Sequence, residues 1–164
     1  MIYKQSMKMK YDVFISSPIA SLDNEEQYMN SKDNIENLKL TLSDCDAKRI
    51  FYVGDKIKNF GEFSEKDISL KTDYNSISSS KHFIFLYPHN IATSALVEIG
   101  FAISKGLSIL IFTKDKKILP FILQQADTTY NNIKIYECEN MTKIEKLFKE
   151  HGMSLFPSIY QNIN

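Results

Sequence analysis

Short apolar runs alternate along this chain with longer segments in which apolar residues recur every three or four positions. The short runs match buried strands, and the mixed segments match helices packed on one face. Tyr11 to Ser16 (YDVFIS) reads as the first strand and Ile50 to Val53 as the second, ending at Gly54-Asp55. Phe83 to Tyr87, Leu107 to Thr113 and Ile133 to Tyr136 read as the third, fourth and fifth. Between the first two, Glu25 to Leu42 carries Tyr28, Ile35, Leu38 and Leu42 at helical spacing. Phe63 to Ser78 is helical with a polar face, and Ser94 to Lys105 is the helix after the third strand. Leu119 to Gln125 is a short helix and Met141 to Lys149 the closing one, while Gly152 to Asn164 shows no clear pattern.

Strand and helix in strict alternation predict an α/β fold, a five-stranded parallel doubly wound sheet with helices on both faces. Right-handed crossovers leave few topologies, and the flavodoxin-like order 2-1-3-4-5 is the expectation. Residues 1–10 are a basic lead-in expected to be disordered, residues 11–151 a single domain, and residues 152–164 a C-terminal tail. In such a sheet ligands bind beyond the carboxyl ends of the strands, where the order reverses between the first and third. The loops there are Ser16 to Asn24 and Pro88 to Thr93.

The second of these loops leads into ALVEIGFAIS, a helix whose neighbours of Glu98 are Ala95, Leu96, Val97, Ile99, Phe101, Ala102 and Ile103. A helix apolar on nearly every side is a buried one. With Ser94 as its N-cap, Glu98 is the fourth helical residue, and a dipole contribution of about 0.3–1 kcal/mol is available there. Burying an ion costs several kcal/mol, which that gain does not offset. Glu98 is therefore the first candidate for chemistry. A carboxylate so placed attacks a sugar anomeric carbon or stabilises an oxocarbenium-like transition state.

Other candidates surround the same switch point. Ser16 and Ser17, before Pro18, offer hydroxyls and N–H groups to a phosphate or ribose; turn chemistry is the bland alternative. Asp73 faces either the crevice or solvent. Ser94 and Thr93 are N-cap candidates that could touch a ligand, and Tyr87 and His89 could stack on a base or take a proton. Gly54-Asp55 is a turn on the ligand side of the sheet.

Bulk properties narrow the class. Twenty basic residues balance 20 acidic ones, so no overall field favours nucleic acid. No apolar run approaches transmembrane length, and the N-terminus lacks a signal-peptide core. Cys45 and Cys138 have no metal-type spacing, and reduced thiols in a cytoplasmic protein are the simplest reading. The three histidines are scattered, and no metal is expected. GxGxxG, GxxxxGK[ST] and GxSxG are all absent.

SALVEIGFAISKG resembles the signature of nucleoside 2-deoxyribosyltransferase-like proteins. There a Glu followed by an aliphatic residue, Gly, an aromatic and Ala carries the nucleophile, matched here by Glu98, Ile99, Gly100, Phe101 and Ala102. ISSPIA is similar to that family's small-residue loop, which implies that Ser16, Ser17 and Pro18 contact the sugar or its phosphate. Asp73 matches an Asp that helps to hold the substrate. Ala92 stands where many members carry an acidic residue. A second resemblance is to Toll/interleukin-receptor (TIR) domains: YDVFISS is similar to their first box, and FLYPHNIATSALVEIG to their third strand and catalytic helix. Leu96 and Val97 stand where those domains carry Trp and Cys. Bacterial TIR-type proteins cleave NAD, many of them in anti-phage defence.

Both resemblances imply a cytoplasmic N-glycosidic bond-cleaving enzyme acting on NAD, a nucleoside or a nucleoside monophosphate through Glu98. Ser16 and Ser17 would hold ribose or phosphate oxygens, Asp73 and Ser94 would orient the ribose, and Tyr87 would pack on the base. The step needs no cofactor, because the carboxylate itself meets the developing positive charge. The expected partners are a nucleotide or nucleoside and further copies of the chain, with neither nucleic acid nor membrane. A non-catalytic nucleotide-binding or self-assembling signalling module is the alternative.

Overall fold

The computed structural model describes residues 9–61 and 66–158. Among these residues, β1 (Tyr11–Ser16), β2 (Ile50–Tyr52), β3 (Ser80–Tyr87), β4 (Ser108–Thr113) and β5 (Ile133–Glu137) form one parallel sheet in the order β2-β1-β3-β4-β5. The helices are α1 (Glu25–Asp44), α2 (Lys66–Ser78), α3 (Ala95–Ser104), α4 (Ala126–Thr129) and α5 (Met141–His151). The topology and fold class are those that the alternation of runs predicts.

Alternation within each strand sends side chains to opposite faces. Val13, Ile15, Ile84, Leu86, Leu110 and Phe112 pack in one layer with Ile35, Leu38 and Leu42 of α1 and with Ile144 and Phe148 of α5. Phe14, Phe83, Phe85, Ile109 and Ile111 pack in the other with Ile77 of α2 and with Ala95, Ile99 and Ala102 of α3. Burial on both faces explains why the central strands read as continuous apolar runs.

Some boundaries differ. β3 begins at Ser80 rather than Phe83, because the parallel ladder pairs Tyr11 with Ser80 ahead of the apolar run. The helix expected over Leu119–Gln125 is a 3-10 turn at Phe121–Leu123 followed by the four-residue α4. The first residues of the helix expected from Phe63, positions 63–65, lie outside the described residues, as do positions 1–8 of the expected disordered lead-in.

The stretch after α5 is not a loose tail where it is described. Gly152–Leu155 forms a 3-10 turn, Leu155 and Phe156 are buried in the α1–α5 layer, and Ser108 Oγ donates to the Pro157 carbonyl at 2.6 Å. The packed domain therefore reaches Pro157. Among the described residues no helix is long and apolar enough to cross a membrane.

Candidate functional site

β1 and β3 are neighbours in the sheet, yet α1 leaves to one face and α3 to the other. That divergence opens the switch-point crevice. Ser16 ends β1 beside Phe85 and is fully buried, and Ser17 is 8% exposed. Glu98 is 6% exposed and lies on the inward face of α3 with Ala95, Ile99 and Ala102. Its composition predicts a helix buried all round, but it is not: Val97 is 51% exposed and Gly100 is open. Glu98 nevertheless occupies the apolar face and not the wet one.

Ser94 sits at the N-cap position but is helical and makes no capping bond with its side chain. Its expected capping role falls in part to Thr93, whose Oγ1 accepts from the Ala95 N–H at 3.4 Å. Ser94 is exposed, one helical turn ahead of Glu98 and on the same face.

The electrostatics set Glu98 apart. Burial pushes its pKa up to about 7; the Ser16 hydroxyl pulls it back, and the charge of Asp73 adds to the rise. Ser16 Oγ faces the carboxyl closely enough to favour its charged form, but neither Ser16 Oγ nor Glu98 Oε2 has a hydrogen bond of good geometry. Asp73 is partly buried on α2. Burial raises its pKa to about 6 against the opposing pull of Lys56, and its Oδ1 also has no partner. Both carboxyls are thus under-satisfied, and the negative charge of Asp73 disfavours that of Glu98.

Tyr52 is the residue that sequence reading missed. It ends β2, is 2% exposed, and its hydroxyl lies 3.3 Å from Ser17 Oγ. Burial pushes its pKa up to about 12; the Ser17 bond lowers it, and Asp55, Tyr28 and Glu98 raise it further. Tyr52 is therefore a neutral phenol near Glu98 at every ordinary pH. Gly54 allows this placement: a Cβ there would lie 2.3 Å from Tyr52 Cε1 and 2.8 Å from Ile19 Cδ1. The available signal was a Tyr at a strand's carboxyl end directly before Val-Gly-Asp.

The remaining candidates hold loops. Pro18 introduces a 3-10 turn at Ile19–Ser21, and Ser21 Oγ donates to the Ala92 carbonyl at 3.1 Å, tying the two switch-point loops together. Tyr87 is 1% exposed and stacks on Phe85 with ring centroids 5.3 Å apart. Its hydroxyl donates to the Ile91 carbonyl at 2.9 Å and accepts from the Ile91 N–H at 3.0 Å. The Tyr87 hydroxyl is thus committed to its own loop, while the residue also lines a cavity between α1 and α5. His89 is exposed on that loop. Among the described residues no cluster of His, Cys, Asp or Glu could hold a metal ion.

A cavity of about 630 Å³ opens on the other side of Ser17 and Pro18, between α1 and α5, and Glu98 does not line it. Volume and chemistry therefore point to different places. The unpartnered buried carboxyl is the stronger sign of a reaction centre, because a void carries no energetic cost comparable to a buried ion.

No family model and no curated protein matches the chain. Among solved structures, CMP N-glycosidase BcmB of Clostridium botulinum matches with a TM-score of 0.64 and 18% identity, over 85% of this chain and 98% of that one. This chain shares its fold with that enzyme. The likeness agrees with the deoxyribosyltransferase-like architecture that SALVEIGFAISKG implies.

Proposed function

We propose that the protein cleaves the N-glycosidic bond of a nucleotide or nucleoside, with Glu98 as the group that meets the anomeric carbon. The carrying observation is a carboxyl 6% exposed, with Oε2 unpartnered, on the apolar face of a helix beside the strand ends. The fold likeness to a CMP N-glycosidase supports the reading. A carboxylate short of partners is relieved when positive charge develops beside it, so its interaction with an oxocarbenium-like sugar is stronger than with the neutral substrate.

In the first step an oxygen of ionised Glu98 bonds to C1′ as the C1′–N bond breaks, and the base leaves with that electron pair. Water then adds to C1′ and gives up a proton, and the carboxylate leaves. Ser16 and Ser17, with Pro18 shaping their turn, hold ribose or phosphate oxygens. Asp73 and Ser94 orient the ribose, and Tyr52 holds Ser17 in place. Tyr87 acts through the loop that it ties to Ile91.

Cys45 and Cys138 are free thiols, which suits the cytoplasmic location proposed here. Phe121 and Ile122 are neighbouring apolar side chains 91% and 83% exposed, which supports contact with a second copy of the chain as part of this reading.

The test is a chromatographic screen of the purified protein against CMP, other nucleoside monophosphates, nucleosides and NAD, with Glu98→Gln run in parallel. Release of a free pyrimidine or purine base that is lost in the variant supports the nucleotide N-glycosidase reading. Release of nicotinamide instead supports the NAD-cleaving reading, and with it the anti-phage role implied by the TIR resemblance. Full turnover by Glu98→Gln overturns the mechanism. Absence of release from every compound, with binding retained, favours the non-catalytic binding module.

A further inference from the structure

The cavity between α1 and α5 takes no part in the chemistry proposed for Glu98, yet it shares Ser17 and Pro18 with that crevice. Its volume of about 630 Å³ falls within the range of about 300–1,000 Å³ usual for small-molecule sites. The floor is apolar and buried: Ile35, Leu86, Phe112 and Ile144 line it and are 2%, 6%, 2% and 5% exposed. The rest of the lining is largely polar, with Asp23, Lys114 and Glu139 among uncharged side chains. Asn30 and Asn34 stand one turn apart on α1, with Ser31 between them, and Thr142 faces them from the first turn of α5.

Side-chain amides supply donors and acceptors together, as the edge of a heterocyclic base does. Hydroxyls complement those of a ribose. Lys114 shares the lining with two acids, Asp23 and Glu139, so the site does not favour a free anion. Ser17 stands at the edge of the cavity, with its hydroxyl 3.3 Å from that of Tyr52.

We propose that this cavity is a second binding site, which takes an uncharged nucleoside moiety over its apolar floor, beside Ser17 and Pro18. That moiety has two chemical sources: the far half of a dinucleotide whose near half lies at Glu98, or a free nucleoside acting as a separate ligand. The first source rests on the N-glycosidase reading; the second does not.

Ser31→Trp puts a large ring into the cavity from α1, at a residue to which no part in the reaction is assigned. The experiment titrates wild type, Ser31→Trp and Glu98→Gln with adenosine, cytidine and NAD by calorimetry, and measures CMP and NAD turnover in each. Circular dichroism and Tm show that Ser31→Trp is folded, and Asn34→Ala provides a second variant that only removes an amide. The expected result is binding weakened at least about tenfold by Ser31→Trp and less by Asn34→Ala, with CMP turnover changed by less than about twofold. Loss of NAD binding without any binding of free nucleosides assigns the cavity to the far half of a dinucleotide. Loss of adenosine or cytidine binding assigns it to a separate ligand. Binding that persists in Glu98→Gln, in a protein that turns over nothing, leaves the site standing while the N-glycosidase reading fails. Affinity unchanged by both cavity variants, or no binding by folded wild type of any of the three probes at millimolar concentration, overturns the proposal.

Discussion

Two carboxylates stand near opposite ends of β1, and they live in opposite ways. Asp12, close to the amino end of the strand, accepts from Arg49 Nη2 at 2.8 Å, from Arg49 Nε at 3.3 Å and from the Arg49 backbone N–H at 2.9 Å. The Arg49 hydrogen bond holds its pKa down at about 2, with the Arg49 and Lys81 charges assisting against a smaller opposing effect of burial. Glu98, beside the carboxyl end, is deeply buried with an unpartnered oxygen, and its pKa rises to about 7. A protein that needs a carboxylate only for structure surrounds it with donors, as at Asp12. Leaving one buried without them has a standing cost in stability, which makes sense where a transient positive charge supplies the missing partner.

The largest effect that tests this contrast is the loss of turnover in Glu98→Gln, expected at about 10³-fold or more if the side chain is a nucleophile. The same variant should be more stable than wild type. A folded-state pKa above the unfolded value means that the native protein keeps its proton where the unfolded chain has lost it. Stability is then full below the unfolded value of 4.5 and declines as pH rises towards about 7. Replacing the acid by a neutral amide removes that decline, so thermal unfolding at pH 8 should show a gain of about 1–3 kcal/mol. A less stable Glu98→Gln would place Glu98 with Asp12 as a structural carboxylate.

Asp12→Asn should behave as the mirror image. Its depressed pKa contributes stability above the unfolded value of 3.8, which is lost as pH falls through about 2. The variant should lower the Tm at pH 7 with kcat/KM within about twofold of wild type.

Tyr52→Phe sharpens the comparison from the neutral side. It removes the 3.3 Å contact with Ser17 and leaves a fully buried ring in place. Turnover should fall about 5- to 30-fold with the Tm little changed, because a hydrogen bond to a positioning hydroxyl is lost and a snug aromatic is kept. Gly54→Ala would instead drive a methyl group into that ring and lower stability by about 1–3 kcal/mol.

The smallest effects are shifts in pH profile. The rate should rise with pH along a limb near pH 7, where Glu98 ionises, although the apparent value belongs to Glu98 and Asp73 together. Asp73→Asn removes a like charge and should move the limb to lower pH. Ser16→Ala removes the hydroxyl that favours the carboxylate and should move it higher. Opposite signs from the two substitutions would verify the assignment, and a limb that neither of them moves would argue against it.

Much of the fold is legible in the chain. Runs such as FIFLY and SILIF, apolar without alternation, are what a strand buried on both faces requires, and the mixed segments between them permit only a parallel sheet. Glu98 was legible too, because an acid among Leu96, Ile99 and Ala102 contradicts its surroundings whatever the tertiary arrangement. Boundaries such as Ser80 were not, since a ladder partner on β1 and not local composition extends β3 there.

The sequence by itself determined the layers, the strand order to be expected and the one carboxylate that needs explaining. Only the tertiary structure decided which groups share that carboxylate's crevice. Tyr52 carries no local mark of its nearness to Ser17, and Asp73, though singled out by resemblance, carries none of its charge acting on Glu98. Tyr87, adjacent in sequence to the same loop, spends its hydroxyl on Ile91 instead. The physical reason is that hydrophobic period is a local property of the chain, whereas the field at Glu98 is the sum of burial and charges brought together only when β1, β2, α2 and α3 pack.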